Sequence, residues 1–513
     1  MRDERFGCYA ALIVCAVAAT RILFKGHLLY DIDSVNFALA LRRFDPAVNQ
    51  PHPPGYFLYV CLGRLANSWL PDPNTALVAI SIAASCGAAW IIYLLTREWF
   101  GGGAALVSAI LFLVSPLCWF HGIVALTYIV EAFFSALIGY LCWKVYTGNS
   151  VYVIPASVAF AVAAGFRPST ALLLSPLWLL SVSRMDGKRR GLALCAVGLA
   201  TTAWFIPMVE AAGGFHRYFD SLVHLWITVP GKRTTLSSPA LAVARAVTIA
   251  WIFMLCFGAA TPFLFRRSEW RGTDSVRCNR FIMTWVLPGV LFFTLVFLNY
   301  VNSGYLLLVC PPAFAWISAG IHGFVRSKQR RLVRRAALAF GFAVNCAIFL
   351  CAPIYCSQKG VRDFERELAA LRQDFGKHLD PATTVIIGFD SHFLGYRHAG
   401  FYLPSFLTVQ YPEVSYADGT RVFLMRGGQT DVVRSFSING FEHFVFFPLP
   451  EDSESSKYMG RVLAELPAGV VNTITVGNRK ALAGPAWAIP LIFHFTAQCA
   501  STAKCAPNPH PGA

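Results

Sequence analysis

Leu29-Tyr30-Asp31-Ile32-Asp33-Ser34-Val35-Asn36-Phe37-Ala38 lies just beyond the first long apolar run of the chain. After a basic and polar turn it is followed by His52-Pro53-Pro54-Gly55-Tyr56-Phe57-Leu58-Tyr59. The acidic pair therefore stands where the chain leaves a membrane. A carboxylate at a bilayer boundary is costly unless it meets water, a partner or a substrate. The residues after the pair mix aromatic and polar side chains, which fits an interfacial helix lying flat on the bilayer better than a second span. The prolines impose an extended approach to a new element. The chemistry is expected here.

Composition supplies the membrane. Of 513 residues, 56% are hydrophobic and 14% charged, and the mean hydropathy is +0.53. Soluble domains carry about 25% charged residues, so this chain lives largely in lipid. The net charge of +16 does not imply nucleic acid, because the basic residues cluster in short gaps between apolar runs. Taking apolar runs of about 17–25 residues as spans, helices are predicted at 6–24, 75–96, 103–120, 125–146, 151–166, 170–183, 191–210, 240–265, 281–299, 303–324 and 336–355. That makes about eleven transmembrane helices. The first run, with its Ala16-Val17-Ala18 triplet, also looks like a signal peptide. An uncleaved anchor is expected, since cleavage would leave the acidic pair on a free tail.

Loop charge sets the orientation. Arg2 and Arg5, Arg97, Lys144, Arg184 with Lys188 to Arg190, the arginines from Arg266 to Arg280, and the run Arg326 to Arg335 all fall on one side. The positive-inside rule makes that side cytoplasmic. The longest inter-helix segments, 25–74 and 211–239, and everything after 355 are then outside. Residues 1–355 form a transmembrane domain in this reading, with 25–74 as its first outer loop, followed by an extracytoplasmic domain at 356–498 and a disordered tail at 499–513. Val361 to Lys377 has a helical charge pattern. Short β-rich runs follow at 384–387, 406–409, 421–424, 443–446 and 473–476, which together predict a small α/β domain. The 15 cysteines fall mostly inside apolar runs and act as small hydrophobes. None has zinc spacing, and Cys499 with Cys505 is the one candidate disulfide.

Three further positions carry candidate chemistry. Glu131, in Thr127-Tyr128-Ile129-Val130-Glu131, is a carboxylate inside an apolar helix, either a functional group or a satisfied interhelical hydrogen bond. Arg167, in Gly165-Phe166-Arg167-Pro168-Ser169-Thr170, lies between two runs too short to span comfortably, which suggests half-length helices meeting around a cavity. Its guanidinium suits a lipid phosphate, and equally a helix-capping role or a pair with Glu131. Tyr305 follows Asn302-Ser303-Gly304 at an outer helix end, as a substrate contact or an aromatic-belt residue. His216, Arg217, His224, Lys232 and Arg233 could bind anions or meet lipid headgroups. The strip His392 to His398 reads as a surface helix without metal spacing. By spacing alone, Asp31 and Asp33 are also ordinary loop acids.

The stretch Asp33-Ser34-Val35-Asn36-Phe37-Ala38 resembles the acidic motif in the first outer loop of GT-C glycosyltransferases. His52-Pro53-Pro54-Gly55-Tyr56 resembles the segment that follows it in the protein O-mannosyltransferase-like and lipid-A-sugar-transferase branches. The resemblance implies an integral membrane fold of that type and a polyprenyl-phosphate sugar donor. It implies that Asp33 is the catalytic base of an inverting transfer to a hydroxyl acceptor, which is a glycan, a lipid or a protein. Asp31, His52, Tyr56, Glu131, Arg167 and Tyr305 are the implied substrate contacts, around a cleft that Asp33 shares with Glu131 and Arg167. Relatives often have Asp-Glu where this chain has Asp33-Ser34, so no second acid takes a role there. The lipid phosphate is already a leaving group, and the chain has no Walker loop to hold a nucleotide. No cofactor is implied. Asp31 and Asp33 could hold a divalent ion, though relatives with simple lipid-phosphate donors do not need one.

Two other readings remain open on the residues. A lipid or sugar flippase would explain a buried Arg and Glu and a broken helix, and a non-catalytic subunit of cell-envelope polysaccharide assembly would use the outer domain to bind partners. The compact loops suit a bacterial inner membrane.

Overall fold

The structure is a computed structural model. It describes residues 2–228, 239–266, 275–298, 303–326, 331–416 and 419–447, and 463–493 apart from 465, 468, 477 and 478. Lys232, Arg233, Asn302, Cys499, Cys505 and the tail at 499–513 lie outside the described residues. The chain forms two compact units, Met1–Leu28 with Ala40–Arg362 and Leu29–Leu39 with Asp363–Ala513. The residues carrying Asp31 and Asp33 thus group with the C-terminal part of the chain.

The helices in order are α1 (Arg2–Phe24), α2 (Ile32–Arg42), α3 (Phe57–Trp69), α4 (Pro73–Phe100), α5 (Gly102–Leu113), α6 (Pro116–His121), α7 (Tyr128–Tyr146), α8 (Val153–Phe166), α9 (Pro168–Val182), α10 (Gly187–Ala211), α11 (Phe215–Thr228), α12 (Pro239–Phe257), α13 (Ser275–Leu295), α14 (Cys310–Arg326), α15 (Arg331–Cys351), α16 (Gln358–His378) and α17 (Tyr396–Tyr402). Over the described residues each of the eleven predicted apolar runs is mainly helical, three of them interrupted. Among the described residues, 7 helices are long and apolar enough to cross a membrane, and 102–113, 150–166 and 168–182 are shorter apolar helices. Leu192, Leu194, Leu199 and Ile206 of α10 stay exposed, as on a helix that meets lipid. α7 is buried along most of its length and packs against α4, α8 and α9.

The differences from the predicted spans have local causes. The run at 103–120 divides because Pro116 starts a new helix, with the Ser115 hydroxyl capping its first turn through the Cys118 N–H. The run at 240–265 loosens into a 3-10 turn at Gly258–Phe265, where the Asn345 amide accepts from the Ala259 N–H and donates to the Phe257 carbonyl. The run at 303–324 opens with a 3-10 turn, Ser303–Leu308, before Pro311 and Pro312 start α14. The expected flat interfacial helix after the acidic pair is instead two short helices. α2 is buried over Ser34 to Ala40, and α3 has a buried face at Tyr59, Val60 and Gly63 and an exposed one at Leu62, Leu65 and Trp69. Asp45-Pro46 and the prolines from Pro51 to Pro54 separate them.

In the second unit, β1 (Thr384–Phe389), β2 (Leu407–Tyr411), β3 (Val414–Tyr416), β4 (Gly419–Arg426), β5 (Gln429–Val433), β6 (His443–Phe446), β7 (Asn472–Val476) and β8 (Arg479–Pro485) form one sheet in the order β3-β4-β2-β1-β6-β8-β7, with β5 paired to β4. β1 is parallel to both β2 and β6, and the outer pairs are antiparallel. β1 is buried at every position, as a central parallel strand covered on both faces requires. Val385, Ile387, Phe389, Val409, Phe444 and Phe446 lead its core. α17 departs from the surface helix expected of residues 392–398: Tyr396, Arg397 and His398 are fully buried. The Arg397 charge is tolerated there because Nη1 donates to Thr430 at 2.9 Å and the guanidinium lies 4.9 Å from the Tyr396 ring and 5.6 Å from the Phe423 ring.

Candidate active site

Pro168 decides where Arg167 goes. The residue before a proline is driven out of the helical region, and Arg167 takes φ −157° and ψ 104° between the end of α8 and the start of α9. Its side chain is 6% exposed and meets Glu131, 2% exposed, in the first turn of α7. Nε lies 3.2 Å from Glu131 Oε2 and donates to Ser169 Oγ at 3.2 Å, while Nη1 donates to Thr127 Oγ1 at 2.8 Å. Glu131 Oε1 accepts from the Thr170 hydroxyl at 3.0 Å and the Ser169 hydroxyl at 3.4 Å. The guanidinium faces three tyrosines, 4.4 Å from Tyr128, 5.2 Å from Tyr305 and 5.8 Å from Tyr56. Nη2 makes no hydrogen bond among the described residues. A cation held by one carboxylate and three π faces, with donor capacity left over, can take a phosphate oxygen.

The tyrosines arrive on three different segments. Gly304 lets the Ser303–Leu308 turn approach α7, since a Cβ there would lie 2.1 Å from Tyr128 Cγ. Gly304→Ala should therefore destabilise the protein by about 1–3 kcal/mol through overpacking. A thermal-shift measurement that finds the variant as stable as the parent would contradict this packing. Tyr56 adopts φ 47°, a left-handed conformation rare for a bulky residue, of the kind that collects at functional sites. Its hydroxyl is 3.0 Å from His52 Nε2. The loop behind it is clamped by α11. Arg217 grips both Asp45 oxygens at 2.9 and 2.7 Å, and the Tyr218 hydroxyl donates to the Pro54 carbonyl at 3.0 Å. Arg217 is thus committed to a carboxylate, whereas His216 and Asp220 form an exposed pair at 3.4 Å. His121, at the end of α6, completes the surroundings, with Nε2 3.4 Å from Ser303 Oγ and its ring 5.1 Å from Tyr128.

His52, Tyr56, Glu131, Arg167 and Tyr305 are therefore neighbours within the first unit. Thr127, Tyr128, Thr170 and His121 were missed as partners. Tyr128 lies three residues from Glu131 in α7, a spacing that puts side chains on one helical face, whereas Thr170 meets Glu131 only across two helices.

Asp31 and Asp33 belong to the second unit. Asp31 caps α2: its Oδ1 accepts the Asp33 N–H at 2.8 Å, and Asp33 sits in the first turn, where the helix dipole favours a carboxylate. Asp31 is buried and Asp33 partly so. His392, in the loop after β1, places Nδ1 3.4 Å from Asp31 Oδ2, and its carbonyl accepts the Ile32 N–H at 2.9 Å. Burial alone would depress this imidazole, but Asp31, Asp33 and Asp390 together lift it to about 9. Burial pushes the Asp31 carboxyl up, opposed by His392. His398, buried against Phe364, is driven down to about 3 and stays neutral. Among the described residues no cluster of histidine, cysteine and acids has the grouping of a metal site.

Residues 46–189 match the protein family described as the protein O-mannosyl-transferase TMEM260 N-terminal domain. No curated protein matches the sequence. The structure is similar to the crystal structure of ArnT from Cupriavidus metallidurans bound to undecaprenyl phosphate, with TM-score 0.59 and 11% identity over 95% of this chain and 98% of that one. The apo form of the same protein gives TM-score 0.57 and 11% identity over 94% and 98%. At such identity the likeness is one of fold. The chain is a multi-pass membrane protein with the fold of the GT-C glycosyltransferases, a bundle of apolar helices joined to a C-terminal sheet domain.

Proposed function

We propose that this protein is an inverting glycosyltransferase that moves a sugar from a polyprenyl-phosphate carrier to a hydroxyl acceptor on the outer face of a cell membrane. The observation that carries the reading is the buried Arg167 guanidinium, set among Tyr56, Tyr128 and Tyr305 with Nη2 unused, in a fold shared with a protein whose structure holds undecaprenyl phosphate. Asp33 takes the proton of the acceptor hydroxyl as its oxygen bonds to the anomeric carbon. The anomeric bond to the phosphate oxygen breaks, and the electron pair leaves with the polyprenyl phosphate, whose charge Arg167 balances. Glu131 holds Arg167 in place, His52 and the tyrosines line the sugar, and Asp31 stands beside the base. The basic clusters support a cytoplasmic N-terminus with Asp33 outside.

The test uses purified full-length protein in sealed proteoliposomes with a panel of radiolabelled polyprenyl-phosphate sugars and hydroxyl acceptors. Transfer should produce free polyprenyl phosphate in step with glycosylated acceptor. A carrier that crosses the bilayer with its sugar still attached would make the protein a flippase instead.

A further inference from the structure

β1 is the point at which the sheet of the second unit changes direction. The chain leaves β1 through α17 to β2 on one side, and β6 later adds on the other, both parallel to β1. In open sheets, functional groups collect beyond the carboxyl ends of strands at such a switch point. The loop at that end of β1 begins Asp390-Ser391-His392, and Asp31 and Asp33 lie against it.

We infer that His392 is a positioning residue for the proposed base: its imidazole fixes Asp31 and its carbonyl fixes Ile32, and together they set the turn that presents Asp33. The inference rests on the reading of Asp33 as base. The grip is double, with Nδ1 3.4 Å from Asp31 Oδ2 and the Ile32 N–H donating to the His392 carbonyl at 2.9 Å. Asp31 passes the constraint on through the 2.8 Å bond from the Asp33 N–H to its other oxygen. The charged and titratable groups around the imidazole are Asp31 and Asp33 on the 29–39 segment, Asp390 on its own loop, and His398 on α17, with Arg397 acting on Asp390. The three carboxylates hold the ring's proton more tightly, so on the alkaline side its ion pair with Asp31 is lost as the pH passes about 9.

The experiment measures kcat and donor KM of the purified full-length protein from pH 6 to 10, for the parent, His392→Gln and His392→Ala. The parent should lose kcat along an alkaline limb. His392→Ala should lower kcat at neutral pH about tenfold with little change in KM. His392→Gln keeps a donor for Asp31 that does not titrate, so it should recover most of that loss and show no such limb. The thermal stability of the parent over His392→Gln should be complete below about pH 6.5 and vanish as the pH rises through 9, because the proton is held more tightly in the folded chain. The same alkaline limb in parent and His392→Gln, or parental kcat in a folded His392→Ala, overturns the inference. Asp33→Asn run alongside keeps the two ideas apart. If Asp33→Asn is inert while His392→Ala behaves as the parent, only the role of His392 falls; if Asp33→Asn turns over normally, the base assignment falls with it.

Discussion

Asp33→Asn should cut sugar transfer by roughly 10²–10⁴-fold, the usual contribution of a positioned general base, while the protein inserts and folds as before. The substitution is nearly isosteric and leaves the backbone untouched. The N–H of residue 33 still reaches Asp31 Oδ1, the bond of 2.8 Å that starts α2. What disappears is a carboxylate in the first turn of a helix, whose loss of dipole interaction costs only about 0.3–1 kcal/mol. Stability and chemistry therefore separate, and the ratio of single-turnover rates at saturating donor reads the chemistry alone. The matched control is Asp31→Asn. Asparagine caps a helix about as well as aspartate, so that variant keeps α2 and loses only the pairing with His392. It should resemble His392→Ala, with an activity well above that of Asp33→Asn. Were the order reversed, with Asp31→Asn inert and Asp33→Asn active, the base would have to be moved to position 31.

How much of this was visible in the chain depends on the range of the interaction. Proline and apolar periodicity act locally, so the helices were legible, and Arg167 was found because Pro168 compels a break beside it. The strands at 384–387 and 443–446 were legible because a central parallel sheet needs unbroken apolar runs. β5 and β8 were not, since Gln429–Val433 and Arg479–Pro485 become strands through pairing with β4 and β7 rather than through their own composition. α17 was misjudged because Arg397 and His398 look like solvent-facing residues until Thr430, Tyr396 and Phe423 are in place around the guanidinium and Phe364 beside the imidazole. His392 against Asp31 is the extreme case. No pattern in a window of residues can show that the loop after a central strand meets the start of α2, because the two are far apart in the chain and meet only once the second unit has folded.

The second large effect is expected at Arg167, which has two roles that a single substitution confuses. Arg167→Ala removes the group proposed to meet the phosphate, and loss of one such electrostatic contact costs about 10²–10³ in turnover. It also strands Glu131, 2% exposed, without its cation. Breaking one half of a buried pair destabilises by about 3–5 kcal/mol, so a dead Arg167→Ala could simply be unfolded. Replacing both partners resolves this. Arg167→Met with Glu131→Gln leaves no buried charge, and the Gln oxygen can still accept from the Thr170 hydroxyl, 3.0 Å away from Glu131 Oε1. The double variant should regain most of the melting temperature lost by Arg167→Ala and remain at least roughly 100-fold down in transfer. Arg167→Lys should do little better in turnover, because an ammonium lacks the planar fork that pairs with Glu131, Thr127 and a further oxygen at once. Full activity in the stable double variant would reduce Arg167 to a structural ion pair and leave the phosphate without its proposed partner.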